Sequence, residues 1–264
     1  MNLTRTLEQV LRYVEPVLVA VLILRLAAQG LLLRYRAFGA YLLIWLGQDT
    51  LPLLLGLSLE GNAYARFFFI SEPVAWLFLF LILYELFDLT FASFPGVRSA
   101  GKLLLTAAVL IAVLVATGTA LPSLMSSHTR VGLLNFYFVI ERSVMLVMLI
   151  LLGALQYLMV HFRLQLPRNT VVYSTTYAIY FAMRALEILL MSELGTNAGQ
   201  LLNVVAMIVD TACLLAWMLL LNRSGAATPI VAGRPLQETE QQRLREQLVA
   251  VNRILSRRNQ KTRK

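Results

Sequence analysis

The chain reads as an all-α membrane protein. The expected architecture is a bundle of seven transmembrane helices, N-terminus outside and C-terminus in the cytoplasm, followed by a short basic amphipathic helix. Three observations predict it. Of 264 residues, 59% are hydrophobic and 14% charged, against roughly 45–50% and 25% in a soluble domain. Seven apolar stretches recur, each close to the roughly 20 residues that a spanning helix needs. Lys and Arg fall on alternate sides of those stretches, as cytoplasmic loops require.

The stretches are Val14–Leu33, Gly39–Leu57, Phe67–Phe91, Leu103–Leu121, Leu133–Val160, Thr170–Leu194 and Gln200–Leu221. An extracytoplasmic segment, residues 1–13, precedes the first. Arg25 interrupts that first apolar run and no small-residue cleavage site follows it, so it is not a signal peptide. Arg25 and Gln29 are neighbours one turn apart, near the middle of the run. In the second, Tyr41, Trp45 and Asp49 share a face. The third carries Glu72-Pro73 near its outer end, and Glu85 and Asp88 near its cytoplasmic end, where water or the basic loop Arg98–Lys102 would meet them. The fourth has no polar residue beyond Thr106, Thr117 and Thr119, which places it at the lipid-facing periphery.

The last three stretches are richer in polar groups. In the fifth, Asn135, Arg142 and Gln156 form a stripe, while Glu141 points about 100° away. In the sixth, Tyr173, Tyr177, Tyr180, Arg184 and Glu187 follow one another at 4-3-4-3 spacing and occupy a single face. Such a stripe cannot face lipid, so it turns toward a packed interior or a cavity. In the seventh, Asn203, Asp210 and Trp217 repeat every seven residues.

Orientation follows from the loops. Arg34 and Arg36, Arg98 and Lys102, and Arg163 and Arg168 lie on one side, together with the tail from Arg223 to Lys264. The alternate loops hold Glu60 and Arg66, His128 and Arg130, and Glu193. The net charge of +9 is this asymmetry plus the tail, so it does not argue for nucleic acid. Short loops and the preference for Arg over Lys suit a bacterial inner membrane. Cys213 is the single cysteine, which excludes a disulfide framework.

After a linker, residues 222–235, the tail 236–264 reads as an amphipathic helix. Leu244, Leu248, Val251 and Leu255 repeat at 4-3-4 spacing, and Arg253, Arg257 and Arg258 lie among them. This pattern suits docking on anionic inner-leaflet lipid or on a cytoplasmic protein partner.

Charges inside the spans carry the functional reading. Arg25, Asp49, Glu72, Glu141, Arg142, Arg184, Glu187 and Asp210 all lie within apolar stretches. At about 2.5–3.5 kcal/mol each, eight uncompensated charges would cost roughly 20–28 kcal/mol. Three cations face five carboxylates, so two carboxyls are left to be protonated, ligand-paired or hydrated.

Other chemistry is absent. There is no H-E-x-x-H, G-x-S-x-G or phosphate-binding glycine loop. The two histidines, His128 and His161, lie in loops or at a helix end. No catalytic residue, metal site or cofactor is proposed by these residues, and none of them suggests an enzyme.

Glu72-Pro73, Glu141-Arg142 and Pro167-Arg168-Asn169 together resemble a family of bacterial seven-helix integral membrane proteins to which no activity is attached. The likeness covers helices three to six and implies the fold, not a function. Three functions remain in competition. The first is a sensor with a polar small-molecule or ion site in the outer half of the bundle, whose small polar or anionic ligand enters from outside among helices two, three, five, six and seven. It would be bound by Arg142 and Arg184, lined by Tyr177 and Tyr180, and surrounded by Arg25, Asp49, Glu72, Glu141, Glu187, Asn203 and Asp210. The second is an accessory or scaffold protein. The third is a proton- or ion-coupled transporter.

Overall fold

The computed structural model describes residues 3–54, 62–126, 130–162, 164–226, 228–231 and 246–254. The tail residues Leu244, Leu255, Arg257 and Arg258 lie outside the described residues. The described chain is almost entirely helical. In order, it forms α1 (Leu3–Ala28), α2 (Arg36–Leu54), α3 (Asn62–Thr90), α4 (Pro95–Ser126), α5 (Arg130–His161), strand β1 (Gln165–Pro167), α6 (Arg168–Leu220), a 3-10 turn (Ser224–Ala226) and strand β2 (Pro229–Val231). Residues 246–254 form a further short helix.

Among the described residues, three stretches are long and apolar enough to cross a bilayer: Phe67–Thr90 in α3, Val139–His161 in α5 and Leu201–Leu220 in α6. They mark a membrane protein, and the exposed surface agrees. On α1, Val19, Leu22 and Leu26 are buried while Val17, Val21 and Leu24 are exposed, so one apolar face packs and the other is left open. Helix α4 is peripheral, as its lack of polar residues suggests. Leu103, Leu104, Leu110 and Leu114 are exposed there and Leu105 is buried. The hydroxyls of Thr106 and Thr117 return to carbonyls one turn back, on Lys102 and Val113.

Helix α6 is not straight. A straight helix would hold Arg184 and Asp210 about 39 Å apart, yet their side chains meet at 2.8 Å. The rings of Tyr177 and Trp217 lie 4.6 Å apart, and Asn169 donates to the carbonyl of Asn222 at 2.7 Å. The two legs therefore run antiparallel, and the chain reverses between Glu187 and Asn203, where the sequence carries Gly195, Asn197 and Gly199. The base of this hairpin is pinned by an antiparallel pairing of β1 with β2, Leu166 opposite Ile230. Strand β2 falls within the expected linker, residues 222–235, and β1 between the fifth and sixth apolar stretches.

Helix α1 ends earlier than its apolar run. Gly30 has φ +69°, Leu31 N–H donates to Leu26 O and Gly30 N–H to Ala27 O, the paired bonds of a Schellman cap. Arg25 therefore sits in the last turn rather than mid-span, where a cation suits the negative end of the helix dipole. Between α1, α2 and the α6 hairpin lies an aromatic core. Phe38, Tyr173, Tyr177 and Trp217 are each fully buried, with the Phe38 ring 5.0–5.9 Å from the other three.

Candidate functional site

The aromatic core divides the polar groups of the bundle into two sets. One lies toward the N-terminal half of α1, the end of α2 and the start of α3; this is the acidic end. The other lies at the start of α2, the end of α3 and the start of α4, and is the basic end.

At the acidic end the α6 hairpin supplies the centre. Arg184 bonds Glu187 at 3.0 Å one turn along the same leg, and Asp210 at 2.8 Å across to the other leg. Glu187 and Asp210 are 5% and 1% exposed, so a guanidinium spanning both legs is what allows two carboxylates to be buried together. Arg184 also lies 5.9 Å from the Tyr180 ring, and Tyr180 shares a hydroxyl hydrogen bond of 3.1 Å with Tyr41 on α2.

Further carboxylates surround this centre. Glu15 on α1 is within electrostatic reach of Asp210, Asp49 and Arg184. Asp49 on α2 interacts with Arg184, Glu72 and Arg12. Glu72 on α3 accepts a 2.9 Å hydrogen bond from Gln48, and Glu141 on α5 faces Glu72, Arg184 and Glu187. Six carboxylates thus gather about Arg184, with the exposed Arg12 at the rim. Glu15 Oε1, Asp49 Oδ2 and Asp210 Oδ1 are buried with no hydrogen-bond partner among the described residues. Among the described residues this cluster holds more carboxylates than cations, and such an arrangement can take up a proton or a small cation.

The sequence-derived candidates divide accordingly. Arg184, Glu187, Asp210, Asp49, Glu72, Glu141 and Tyr180 come together. Tyr177 lies in the aromatic core between Trp217 and Phe181. Asn203 is apart, donating to Glu8 of α1 at 3.4 Å. Arg25 lies in the last turn of α1, and Arg142 is exposed on the outer surface of α5. Glu15 is the member that sequence reading missed, because the run Val14–Leu33 places it at the edge of a span. Helix α1 begins at Leu3, which carries Glu15 into the bundle.

At the basic end every described carboxylate has partners. Asp88 binds Arg98 through two hydrogen bonds of 2.7 and 2.5 Å and binds Lys102 at 2.5 Å. The hydrogen bonds to Asp88 raise the Arg98 guanidinium above its ordinary value and keep it charged. Glu85 does not join the basic loop. Its carboxylate accepts the Ala37 N–H at 3.2 Å and the Tyr173 hydroxyl at 3.3 Å, and the amides of Arg36 and Phe38 point at it as well. A carboxylate from α3 thereby caps the N-terminus of α2, where the dipole favours negative charge.

The tail helix docks beside this network. Leu248 is buried against the core, and Asn252 Oδ1 accepts the Gly96 and Val97 amides at 2.7 and 3.3 Å, capping α4 from outside it. Val251 is 47% exposed and Arg253 is exposed as well. Within 246–254, then, the face toward the protein is Leu248 and Asn252, and the remaining apolar face is open. No protein-family model, curated protein or solved structure matches the chain.

Proposed function

We propose that the chain crosses the membrane seven times, five times in α1 to α5 and twice in the legs of α6. Its N-terminus is outside and its tail cytoplasmic, and it senses a positively charged species, a proton or a small cation, arriving from the outer side. One observation carries this reading: six carboxylates surround Arg184, whose charge is already shared by Glu187 and Asp210. An anionic ligand would need a free cation in the interior. Arg184 is engaged and Arg142 faces outward, so the charge balance favours a cation over an anion.

Sensing is favoured over transport by the layer below the site. Phe38, Tyr173, Tyr177 and Trp217 fill the bundle between the two polar ends, and a closed aromatic layer suits a shift of helices better than a path for ions. A mechanical route exists along α3. Glu72 lies at its acidic end and Asp88 at its basic end, where Asp88 holds Arg98 beside the Gly96 and Val97 amides that Asn252 caps. A change in charge around Glu72 would then reach the tail helix through a contiguous set of contacts along α3 and the start of α4. The docked tail is the part positioned to report to inner-leaflet lipid or a cytoplasmic partner.

The test uses the full chain in detergent, exposed in turn to sodium, methylammonium and mild acid. Each active species is expected to raise the melting temperature and to alter protease access to residues 246–254. The double substitution Asp49→Asn with Glu141→Gln is expected to abolish both effects. No response to any of the three, which is what an accessory subunit would give, or the same response in the double variant, would overturn the reading. Transport is the second reading, supported by carboxylates drawn from α1, α2, α3, α5 and α6. A flux of sodium or methylammonium into proteoliposomes that the double variant abolishes would favour it instead.

A further inference from the structure

A groove of about 610 Å³ opens between α2 and α3 at the basic end, away from the carboxylate site. Its shape comes from small residues on α2: Ala37 and Ala40, one turn apart, leave room opposite Phe78 and Leu81 of α3. From Phe78 to Leu89 it follows α3 for about 16 Å. One end is apolar and lies within the membrane-crossing stretch Phe67–Thr90. The other is rimmed by Arg34, Arg36 and Arg98.

The charges at that rim do not cancel. Glu85 and Asp88 also line the groove, but Glu85 is committed to the amides at the start of α2 and Asp88 to Arg98 and Lys102. Arg34 and Arg36 are both exposed. Among the described residues Arg36 spends only its Nε–H, on the Leu33 carbonyl at 3.0 Å, which holds the side chain near the rim and leaves its terminal nitrogens to donate. An elongated groove, apolar inside the membrane and cationic at the surface, matches one class of molecule in charge and polarity. Basic pockets at the ends of transmembrane helices hold lipid headgroups in this way.

We propose that this groove binds one anionic phospholipid, its phosphate held by Arg34 and Arg36 and an acyl chain laid along Ala37, Ala40, Phe78 and Leu81. The site is separate from the basic tail, and it tethers the α2–α3 pair to the leaflet at which Glu85 caps α2. Arginine suits the role because its planar fork donates two parallel hydrogen bonds to a phosphate.

Native mass spectrometry of the full-length protein tests it, with phosphatidylglycerol, phosphatidylcholine or inorganic phosphate supplied in turn. The protein is expected to retain one phosphatidylglycerol under conditions that strip phosphatidylcholine, and excess inorganic phosphate should not displace it. Arg34→Gln with Arg36→Gln is expected to weaken retention by about thirtyfold, the loss of two basic contacts at a membrane surface. Ala40→Phe fills the groove without changing charge and should weaken it too; Leu81→Asn, at an exposed position, reads the same lining if Ala40→Phe fails to fold. The tail is intact in every variant, so lipid drawn by its basic residues is a constant background. The proposal is overturned by unchanged retention in the double arginine variant, or by equal retention of phosphatidylcholine. Displacement by phosphate alone, or unchanged retention in both groove variants, would also overturn it.

Discussion

The two ends of this bundle treat buried and half-buried acid in opposite ways. At the basic end, Asp88 has two cations and Glu85 has the N-terminus of α2 and a tyrosine hydroxyl. At the acidic end, six described carboxylates surround Arg184, and among the described residues Glu15, Asp49 and Asp210 each keep a buried oxygen without a partner. A satisfied polar network rigidifies a bundle, whereas an unsatisfied one costs stability. The basic end holds α2, α3, α4 and the tail together, whereas among the described residues of the acidic end carboxylates outnumber cations.

Substitutions can break or sharpen that contrast. The largest effect belongs to Arg184→Gln, which strands Glu187 and Asp210 in the interior. Removing one partner from a buried pair costs about 3–5 kcal/mol, so the melting temperature in detergent should fall steeply, and adding Asp210→Asn should recover much of the loss. Melting of the single variant at the wild-type temperature would mean that the pair is not holding buried charge. A smaller loss is expected for Glu85→Gln, about 1–2 kcal/mol, since an amide still accepts a hydrogen bond but no longer offers charge to the α2 dipole. Hydrogen exchange at the Arg36, Ala37 and Phe38 amides is the direct readout, and unchanged protection there would remove Glu85 as the cap. The smallest effect has the opposite sign. Asp49→Asn removes one of the surplus charges without changing shape, and should stabilise the protein by a few tenths of a kcal/mol on the scale of like-charge pairs. A loss of stability as large as that of Glu85→Gln would erase the distinction between the two ends.

Much of the helical layout was legible because membrane helices obey simple rules. Apolar length marks α3, α5 and the second leg of α6, and the stripe Tyr173, Tyr177, Tyr180 and Glu187 is buried along one face, as its spacing requires. The lack of polar residues also marked α4 as peripheral; periodicity grouped the polar stripes of the other helices. What it could not decide is which of two adjacent charges turns inward. Glu141 and Arg142 differ by one step of the helix, and only packing of α5 against α3 and α6 selects the glutamate. Nor can a local pattern reveal partners far along the chain. The caps that Glu85 gives to α2 and Asn252 gives to α4 join residues 48 and 156 positions apart. The tail shows the same limit: its heptad-like spacing groups Leu248 with Val251, but docking through Asn252 leaves Val251 exposed. Glu15 was hidden by a boundary, because a polar first turn masks the true start of α1.

The central claim is that the acidic end accepts positive charge that the basic end does not. Infrared difference spectroscopy of the carboxylic-acid stretch, recorded on the full chain as the medium is moved from neutral to mildly acidic, tests it most directly. The carboxyl signal is expected to shrink in Asp49→Asn and in Glu141→Gln and to stay unchanged in Asp88→Asn. A signal unaffected by the first two substitutions, or removed by the third, would contradict it.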